Sequence, residues 1–276
     1  MNDLWQPGSD CGRSCLPGPG QTPIRPPAGQ VGRAVALLGV LLLGAALLPV
    51  LPILPAPSRH AIGRVWARAV LRALGVDLVV RGWLPHRRAL LVANHLSWLD
   101  VVAVLAVAPA RLVAKAEVRR WPLIGVLAKA AGTIFVNRSR PRSLPATVAE
   151  VAAVLRGGGV VAVFAEGTTF CGVAQRCAPG PFRSAMFQSA IDAGALVVPL
   201  MLGYRVGSPH QSTTVAAFVG DDHLWSSVRR VLAARDLAVT VSAAAAVHPE
   251  PSATRRQLAQ ITELAVRARR PLVRAG

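Results

Sequence analysis

The stretch ALLVANHLSWLDVVAVLAV, residues 89–107, has an apolar strand pattern directly before an apolar helix pattern. Ala89–Ala93 consists of five apolar residues, as in a strand that is buried on both faces. Ser97 is a typical N-cap residue, and it predicts a helix that begins at Trp98 and ends near Val107. A strand that passes through a short turn into a helix is the repeating unit of α/β folds.

The same alternation continues on both sides of this unit. Strands are predicted over residues 76–80, 89–93, 112–114, 133–136, 160–164, 196–202, 215–219 and 238–241. Helices are predicted over residues 98–107, 121–130, 144–155, 183–193, 224–233 and 254–267. This order predicts one α/β domain over residues 75–272, with a mostly parallel sheet flanked by helices.

Three segments precede the domain. Residues 1–30 contain six prolines and five glycines, which predicts a disordered leader or an extension from a misplaced start codon. Residues 31–58 are apolar and predict a membrane segment. Its proline-free part, residues 34–48, measures only about 22 Å as a helix, so a tilted or broken span, a re-entrant anchor and a signal peptide remain open. The long leader with few charges disfavours the signal peptide.

Residues 59–74 predict a basic amphipathic helix. Its cationic side chains recur every four residues at His60, Arg64, Arg68 and Arg72. This pattern is typical of a helix that lies among lipid headgroups, although an ordinary domain helix with a solvated basic face has the same pattern. Beside the apolar segment we prefer the membrane interpretation, with the domain on the cytoplasmic side of the cell membrane.

The composition favours a lipid surface over a nucleic acid as the anionic partner of this chain. The 276 residues include 31 Lys and Arg against 13 Asp and Glu, a formal net charge of +18. Such an excess indicates an anionic partner. The mean hydropathy is +0.44 and only 5% of the residues are aromatic, which disfavours base-stacking surfaces, so no nucleic-acid partner is expected.

The chain has four cysteines, Cys11, Cys15, Cys171 and Cys177. No His or Cys pair stands near them at a spacing typical of zinc ligands. The sequence therefore predicts reduced thiols and no metal site.

Residues 94–100, Asn-His-Leu-Ser-Trp-Leu-Asp, offer two interpretations. His95 in the turn and Asp100 in the first helical turn can form a His–carboxylate pair that acts as a general base. Alternatively Ser97 and Asp100 form a capping box, and His95 has no chemical role. Taken alone, the motif favours the capping box.

Three further motifs change this balance. Polar residues follow the strands predicted at 133–136 and 160–164, and Pro199 follows Val197 and Val198. With residues 94–100, the segments 132–138, 164–168 and 197–199 resemble, in order and spacing, the four motifs of the glycerolipid acyltransferase family. The resemblance covers about residues 60 to 270 and implies that family's fold.

The resemblance also implies roles for single residues. His95 would be the general base and Asp100 would orient it, whereas Arg138, Glu166, Gly167 and Thr168 would bind the acceptor. The implied substrates are a lysolipid and acyl-CoA or acyl carrier protein, beside membrane lipids and without a further cofactor. From the residues alone, Arg138 would form a surface ion pair and Glu166 would be a helix N-terminal carboxylate.

The third motif departs from the lysophosphatidate enzymes of that family. Ala165 stands where they have proline, and Thr169 where they have arginine. Segments 181–187, 220–221 and 254–256 resemble the branch that acylates lyso-ornithine lipids.

We therefore expect a membrane-associated O-acyltransferase, with 1-acyl-glycerol-3-phosphate as the first acceptor and a lyso-ornithine lipid as the alternative. A non-catalytic basic protein that binds membranes or nucleic acid is the competing hypothesis from another class. A serine hydrolase is third, because the chain has no Gly-x-Ser-x-Gly elbow.

Overall fold

The computed structural model describes residues 8–121, 124–172, 177, 179–207, 211–250 and 252–268. Its helices are α1 (Pro27–Leu47), α2 (Ala56–Leu74), α3 (Trp98–Val107), α4 (Ile124–Ala130), α5 (Leu144–Arg156), α6 (Phe187–Ala193), α7 (Leu224–Ala233) and α8 (Arg255–Arg267). Its strands are β1 (Val76–Arg81), β2 (Ala89–Ala93), β3 (Ala110–Lys115), β4 (Ile134–Val136), β5 (Val160–Phe164), β6 (Leu196–Val206), β7 (Gln211–Ser212) and β8 (Leu237–Ala243).

The strands form one mixed sheet in the order β1-β8-β6-β2-β5-β3-β4, with β7 beside β6. Strands β7 and β8 run antiparallel to β6, and all other neighbours are parallel. The predicted α/β class with a mostly parallel, helix-flanked sheet is confirmed.

Strand β2 lies at the centre and is buried on both faces. Leu91 packs into one apolar cluster and Leu90 into another, on the opposite side of the sheet. The first cluster includes side chains of α2, α3 and α7, and the second includes side chains of α5, α6 and α8. Because both faces are covered, β2 is apolar throughout, without the alternation of a half-exposed strand.

One predicted strand and the starts of two predicted helices are wrong. Residues 215–219 form a turn and a loop, which are buried although they are not in the sheet. A short apolar run is equally compatible with a buried strand and a buried loop. Helix α6 begins at Phe187 rather than at 183, and α4 begins at Ile124 rather than at 121, with residues 122–123 outside the described part of the chain.

The predicted disordered leader differs from the structure. From residue 8 onward the leader lies on the domain, with Cys11 and Cys15 buried. The backbone N–H of Arg25 donates to the carbonyl of Ala233 at 2.9 Å. Composition predicted disorder because the leader has no apolar periodicity, but its order comes from contacts with distant residues.

The apolar segment also has different bounds from those predicted. Helix α1 begins at Pro27 because proline is well tolerated in the first helical turn. Its 21 residues measure about 31 Å, and it is the one helix among the described residues that is long and apolar enough to cross a membrane. The predicted amphipathic helix is the larger part of α2, which begins at Ala56.

Helices α1 and α2 form an antiparallel hairpin that is fixed to the domain. Arg33 donates to the carbonyls of Leu232 and Ala234, and also to that of Gly75, at the end of α2. Further along α1, the carbonyl of Val40 accepts from the indole of Trp66 at 3.0 Å. The first contact fixes α1 to the domain, and the second fixes it to α2.

Candidate active site

The turn between β2 and α3 contains both interpretations of residues 94–100 at once. Ser97 caps α3, and its Oγ accepts from the N–H of Leu99 at 3.2 Å. The Asp100 carboxylate accepts from the backbone N–H of Ser97 at 2.8 Å, which completes the capping box. The same oxygen, Oδ2, lies 2.9 Å from Nδ1 of His95. The capping box therefore holds the carboxylate in the place where it binds the histidine.

Asp100 is fully buried and has an unusual number of donors around it. Its Oδ2 accepts a third hydrogen bond, from the N–H of Leu96 at 2.6 Å. Its Oδ1 accepts from the hydroxyl of Tyr204 at 2.5 Å. Hydrogen bonds from four donors thus replace the water that this carboxylate loses on burial.

Tyr204 is a site residue that the sequence analysis missed. It is the only tyrosine of the chain, and it lies on β6 beyond the predicted end of that strand. Burial raises the pKa of its hydroxyl well above the ordinary value, and the negative charge of Asp100 raises it further. The hydroxyl therefore stays protonated and donates at all physiological pH values. If the strand had been predicted over residues 196–206, the alternation of side chains would have placed Tyr204 on the same face as Leu200 and Leu202.

The position of the proton on His95 follows from its partner. A carboxylate only accepts hydrogen bonds, so Nδ1 carries the proton and Nε2 keeps its lone pair. The ring stacks on Phe164 with centroids 4.0 Å apart and an interplanar angle of 17°. The side chain is 19% exposed. This arrangement leaves a histidine with a fixed tautomer that can take a proton at Nε2.

The loop after β5 is bound to the backbone of His95. Oε2 of the buried Glu166 accepts from the N–H of His95 at 2.7 Å. The N–H of Phe170 donates to the carbonyl of His95 at 2.8 Å. Glu166 thus positions the histidine in the structure, and its predicted role in acceptor binding stays a prediction.

Arg138, beyond the end of β4, reaches the same loop. Its Nη1 donates to the carbonyl of Gly167 at 2.6 Å, and the half-buried Thr168 follows in the loop. Burial lowers the pKa of Arg138, and the nearby positive charge of Arg183 lowers it further, against the opposing effect of Glu117. The N–H of Arg183 donates to the carbonyl of Ala165 at 2.9 Å. Arg183 is therefore bound to this loop through its backbone, and its charge acts on Arg138.

The fourth motif lies inside a strand and not after one. Pro199 is within β6 and is paired in register with Val92 of β2. The strand predicted over residues 196–202 has its predicted start and continues to Val206, because β6 changes partners instead of ending. It pairs with β2 up to Leu200 and with β8 from Leu200 onward. The strand therefore reaches Tyr204.

Comparisons with known proteins show similarity to acyltransferases. A family model described as Acyltransferase matches residues 77–203. A lyso-ornithine lipid O-acyltransferase of Pseudomonas aeruginosa is 35% identical over 245 residues, which cover 85% of this chain and 91% of that protein. This chain belongs to the acyltransferase family. The residues matched by the family model include His95, Asp100, Arg138 and Glu166.

Two other relatives and one solved structure extend this result. A lyso-ornithine lipid O-acyltransferase of Rhizobium meliloti is 32% identical over 82% of both chains. A 1-acyl-sn-glycerol-3-phosphate acyltransferase of Neisseria meningitidis is 42% identical over 50% of this chain and 53% of its own. The crystal structure of the acyltransferase PlsC from Thermotoga maritima has the same fold, with a TM-score of 0.64 at 19% identity over 87% of this chain and 92% of that one.

Proposed function

We propose that this acyltransferase moves a fatty acyl group from a thioester, acyl-CoA or acyl carrier protein, to the hydroxyl of a lysolipid. The observation that carries the proposal is the pair of His95 and Asp100, with the tautomer of the imidazole fixed by a buried carboxylate. A base of this kind suits an alcohol, whose proton must leave as its oxygen attacks.

The reaction needs no covalent enzyme intermediate. Nε2 of His95 takes the hydroxyl proton while the alcohol oxygen bonds to the thioester carbonyl carbon. Asp100 stabilises the imidazolium that forms. Collapse of the tetrahedral intermediate breaks the carbon–sulfur bond, and His95 returns the proton to the departing thiolate. The products are the acylated lipid and a free thiol carrier.

The acceptor headgroup is proposed to bind at Arg138 and Arg183. Guanidinium groups bind phosphate and carboxylate through two parallel hydrogen bonds. Two cations held close together, one of them half-buried, attract an anion that relieves their repulsion. Arg183 thus supplies the second cation that is missing at Thr169.

We propose a lyso-ornithine lipid as the first acceptor. Two relatives with 35% and 32% identity, each covering more than four fifths of this chain, carry that name. The carboxylate of the ornithine headgroup would bind the two arginines. Lysophosphatidate is the second candidate, because the relative with 42% identity over the central half is a 1-acyl-sn-glycerol-3-phosphate acyltransferase.

The acyl donor is proposed to approach along a basic surface. Residues 115–142 contain seven Lys and Arg residues and a single acid, Glu117. Six of the seven cations are exposed: Lys115, Arg119, Arg120, Lys129, Arg140 and Arg142. This surface suits the phosphates of acyl-CoA or the acidic surface of a carrier protein, and it would also attract anionic lipid.

Arg183→Ala is expected to raise KM for the acceptor by about 10-fold or more, since a hydrogen bond to a charged group contributes roughly 1.5–3 kcal/mol. The measurement is kcat/KM of the purified enzyme for lyso-ornithine lipid and for lysophosphatidate, with one acyl donor. Arg140→Ala is the matched control, because it removes an exposed cation two residues beyond Arg138. Equal effects of Arg183→Ala and Arg140→Ala would contradict headgroup binding at Arg183. A strong wild-type preference for lysophosphatidate would assign that lipid as the acceptor.

We further propose that the α1–α2 hairpin holds the enzyme on the cytoplasmic face of the cell membrane. Val31, Val35, Leu38 and Leu42 form an exposed apolar stripe along α1, and Ile53 at the tip is 82% exposed. The exposed Arg68 and Arg72 on α2 suit anionic headgroups. The contacts of Arg33 with the domain, and of Val40 with Trp66 of α2, favour a hairpin embedded in one leaflet over a free span.

Leu38→Asp combined with Leu42→Asp is expected to move most of the protein from the membrane pellet to the supernatant. Two charges on this stripe would have to enter hydrocarbon, whereas both side chains are exposed and contribute little to the core. Ile261→Asp with Leu264→Asp is the matched control, two exposed apolar residues on α8. The measurement is flotation with liposomes that contain anionic lipid. Full retention of the α1 variant would place the anchor elsewhere.

A further inference from the structure

The fold brings all four cysteines of the chain to one point, although two lie in the leader and two follow β5. Their Sγ atoms all lie within 4.8 Å of one another, and all four side chains are buried. Cys15 and Cys177, 162 positions apart, have their sulfurs 3.4 Å apart. Reduced thiols were predicted because no further His or Cys pair stands near these cysteines in the sequence.

We propose that Cys11, Cys15, Cys171 and Cys177 bind one structural zinc ion. A tetrahedral zinc site with Zn–S bonds of about 2.3 Å has sulfur–sulfur separations of about 3.8 Å, within the observed limit. Four thiolates with no other ligand fill the coordination sphere, so the ion has no open position for a substrate. The site would therefore stabilise the fold and take no part in acyl transfer.

Local contacts support a metal site over a cluster of apolar thiols. The N–H of Cys171 donates to Sγ of Cys11 at 3.3 Å, as amides do to metal-bound thiolates. Cys11 and Cys15 are separated by three residues, within the usual spacing of zinc ligand pairs, and lie around a short 3-10 turn at Arg13–Cys15. Each sulfur has the other three nearby, whereas disulfides would pair them in twos.

An iron–sulfur cluster and a disulfide both fit the four cysteines less well than zinc does. An iron–sulfur cluster places irons and sulfides between its thiolates, which requires wider separations between the cysteine sulfurs than those here. A disulfide would need an S–S distance of about 2.05 Å, against 3.4 Å for Cys15 and Cys177. Soft thiolate ligands at tetrahedral spacing favour zinc.

The site joins the leader to the loop that holds the catalytic histidine. Cys171 follows Phe170, whose N–H donates to the carbonyl of His95. Thr214, in the loop that continues to Phe218, donates from Oγ1 to the carbonyl of Cys15 at 2.7 Å. Bound zinc would close a chain loop of more than 150 residues and so fix the segment that follows Glu166. Four thiols would release their protons to solvent as four Zn–S bonds form.

The first test is the metal content of the full-length protein, purified in detergent without chelators. Elemental analysis is expected to give about one zinc per chain. Cys15→Ser and Cys171→Ser, one from each pair, are each expected to lose it. Thr214→Val is the matched control, because it loosens the same segment and leaves every sulfur in place; it should keep its zinc. Iron in place of zinc, no metal, or disulfides in the non-reduced intact mass would each overturn the proposal.

A second test uses only the wild-type chain, in case the cysteine variants do not fold. Removal of the metal by a chelator is expected to lower the thermal unfolding midpoint by on the order of 10 °C. Zinc, but not magnesium, should restore it. Cobalt(II) added to the metal-free protein should give the intense visible absorption of a tetrahedral thiolate complex. An unchanged midpoint after chelation, or the absence of that absorption, would contradict a structural zinc site.

Discussion

Replacement of His95 by alanine is expected to lower kcat for acyl transfer by about 10²–10⁴-fold, while the protein folds as the wild type does. The lost group is the one that takes the hydroxyl proton at Nε2. The side chain is partly exposed, so its loss leaves no closed cavity of its own size. In the variant, the backbone N–H groups of Leu96 and Ser97 would still bind the Asp100 carboxylate, although its bond to His95 is lost.

The measurement is single-turnover acyl transfer from a labelled thioester to a lysolipid, beside thermal unfolding of the same preparation. His86→Ala is the matched control, an exposed histidine between β1 and β2. Wild-type turnover in His95→Ala would reject the enzyme mechanism. Membrane or polyanion binding without any measurable transfer in the wild type would favour the competing non-catalytic basic protein.

Asp100→Asn is expected to lower kcat by a similar factor and also to destabilise the fold. An amide at this position no longer fixes the imidazole tautomer or stabilises the imidazolium. It also replaces one of the two oxygens, which together accept four hydrogen bonds, by an NH2 group that donates instead, and it removes the charge that makes each of these bonds worth roughly 1.5–3 kcal/mol. We expect reduced protein yield together with reduced turnover per folded molecule.

Ser97→Ala separates the two effects of Asp100. Ser97 caps α3 through its Oγ, whereas its side chain is not the partner of His95. Loss of an N-cap costs about 1 kcal/mol, so this variant should be less stable and keep its turnover. The measurement is kcat per folded molecule, with the folded fraction taken from chemical denaturation. If Ser97→Ala lost as much turnover as Asp100→Asn, the role of Asp100 would be limited to capping.

Local sequence determined the central elements and half of the site. Helix α3 and strands β2 and β5 have their predicted bounds, because a buried strand, an N-cap and a helix are all encoded within a few neighbouring residues. His95 and Asp100 meet for the same reason, since five residues of turn and cap join them. The resemblance to a family named Arg138 and Gly167 as acceptor-binding residues, which stays a prediction; in the structure the side chain of Arg138 binds the carbonyl of Gly167, in the loop beside this turn.

Tertiary structure decided what depends on residues remote along the chain. Tyr204 reaches Asp100 because β6 continues past Pro199 by changing partners from β2 to β8. Arg183 lies near Arg138 because its backbone is bound to Ala165 of the loop after β5. The leader from residue 8 onward lies on the domain, where its cysteines meet Cys171 and Cys177. Periodicity and local spacing carry information about a few residues, whereas these contacts join segments separated by tens to more than a hundred residues.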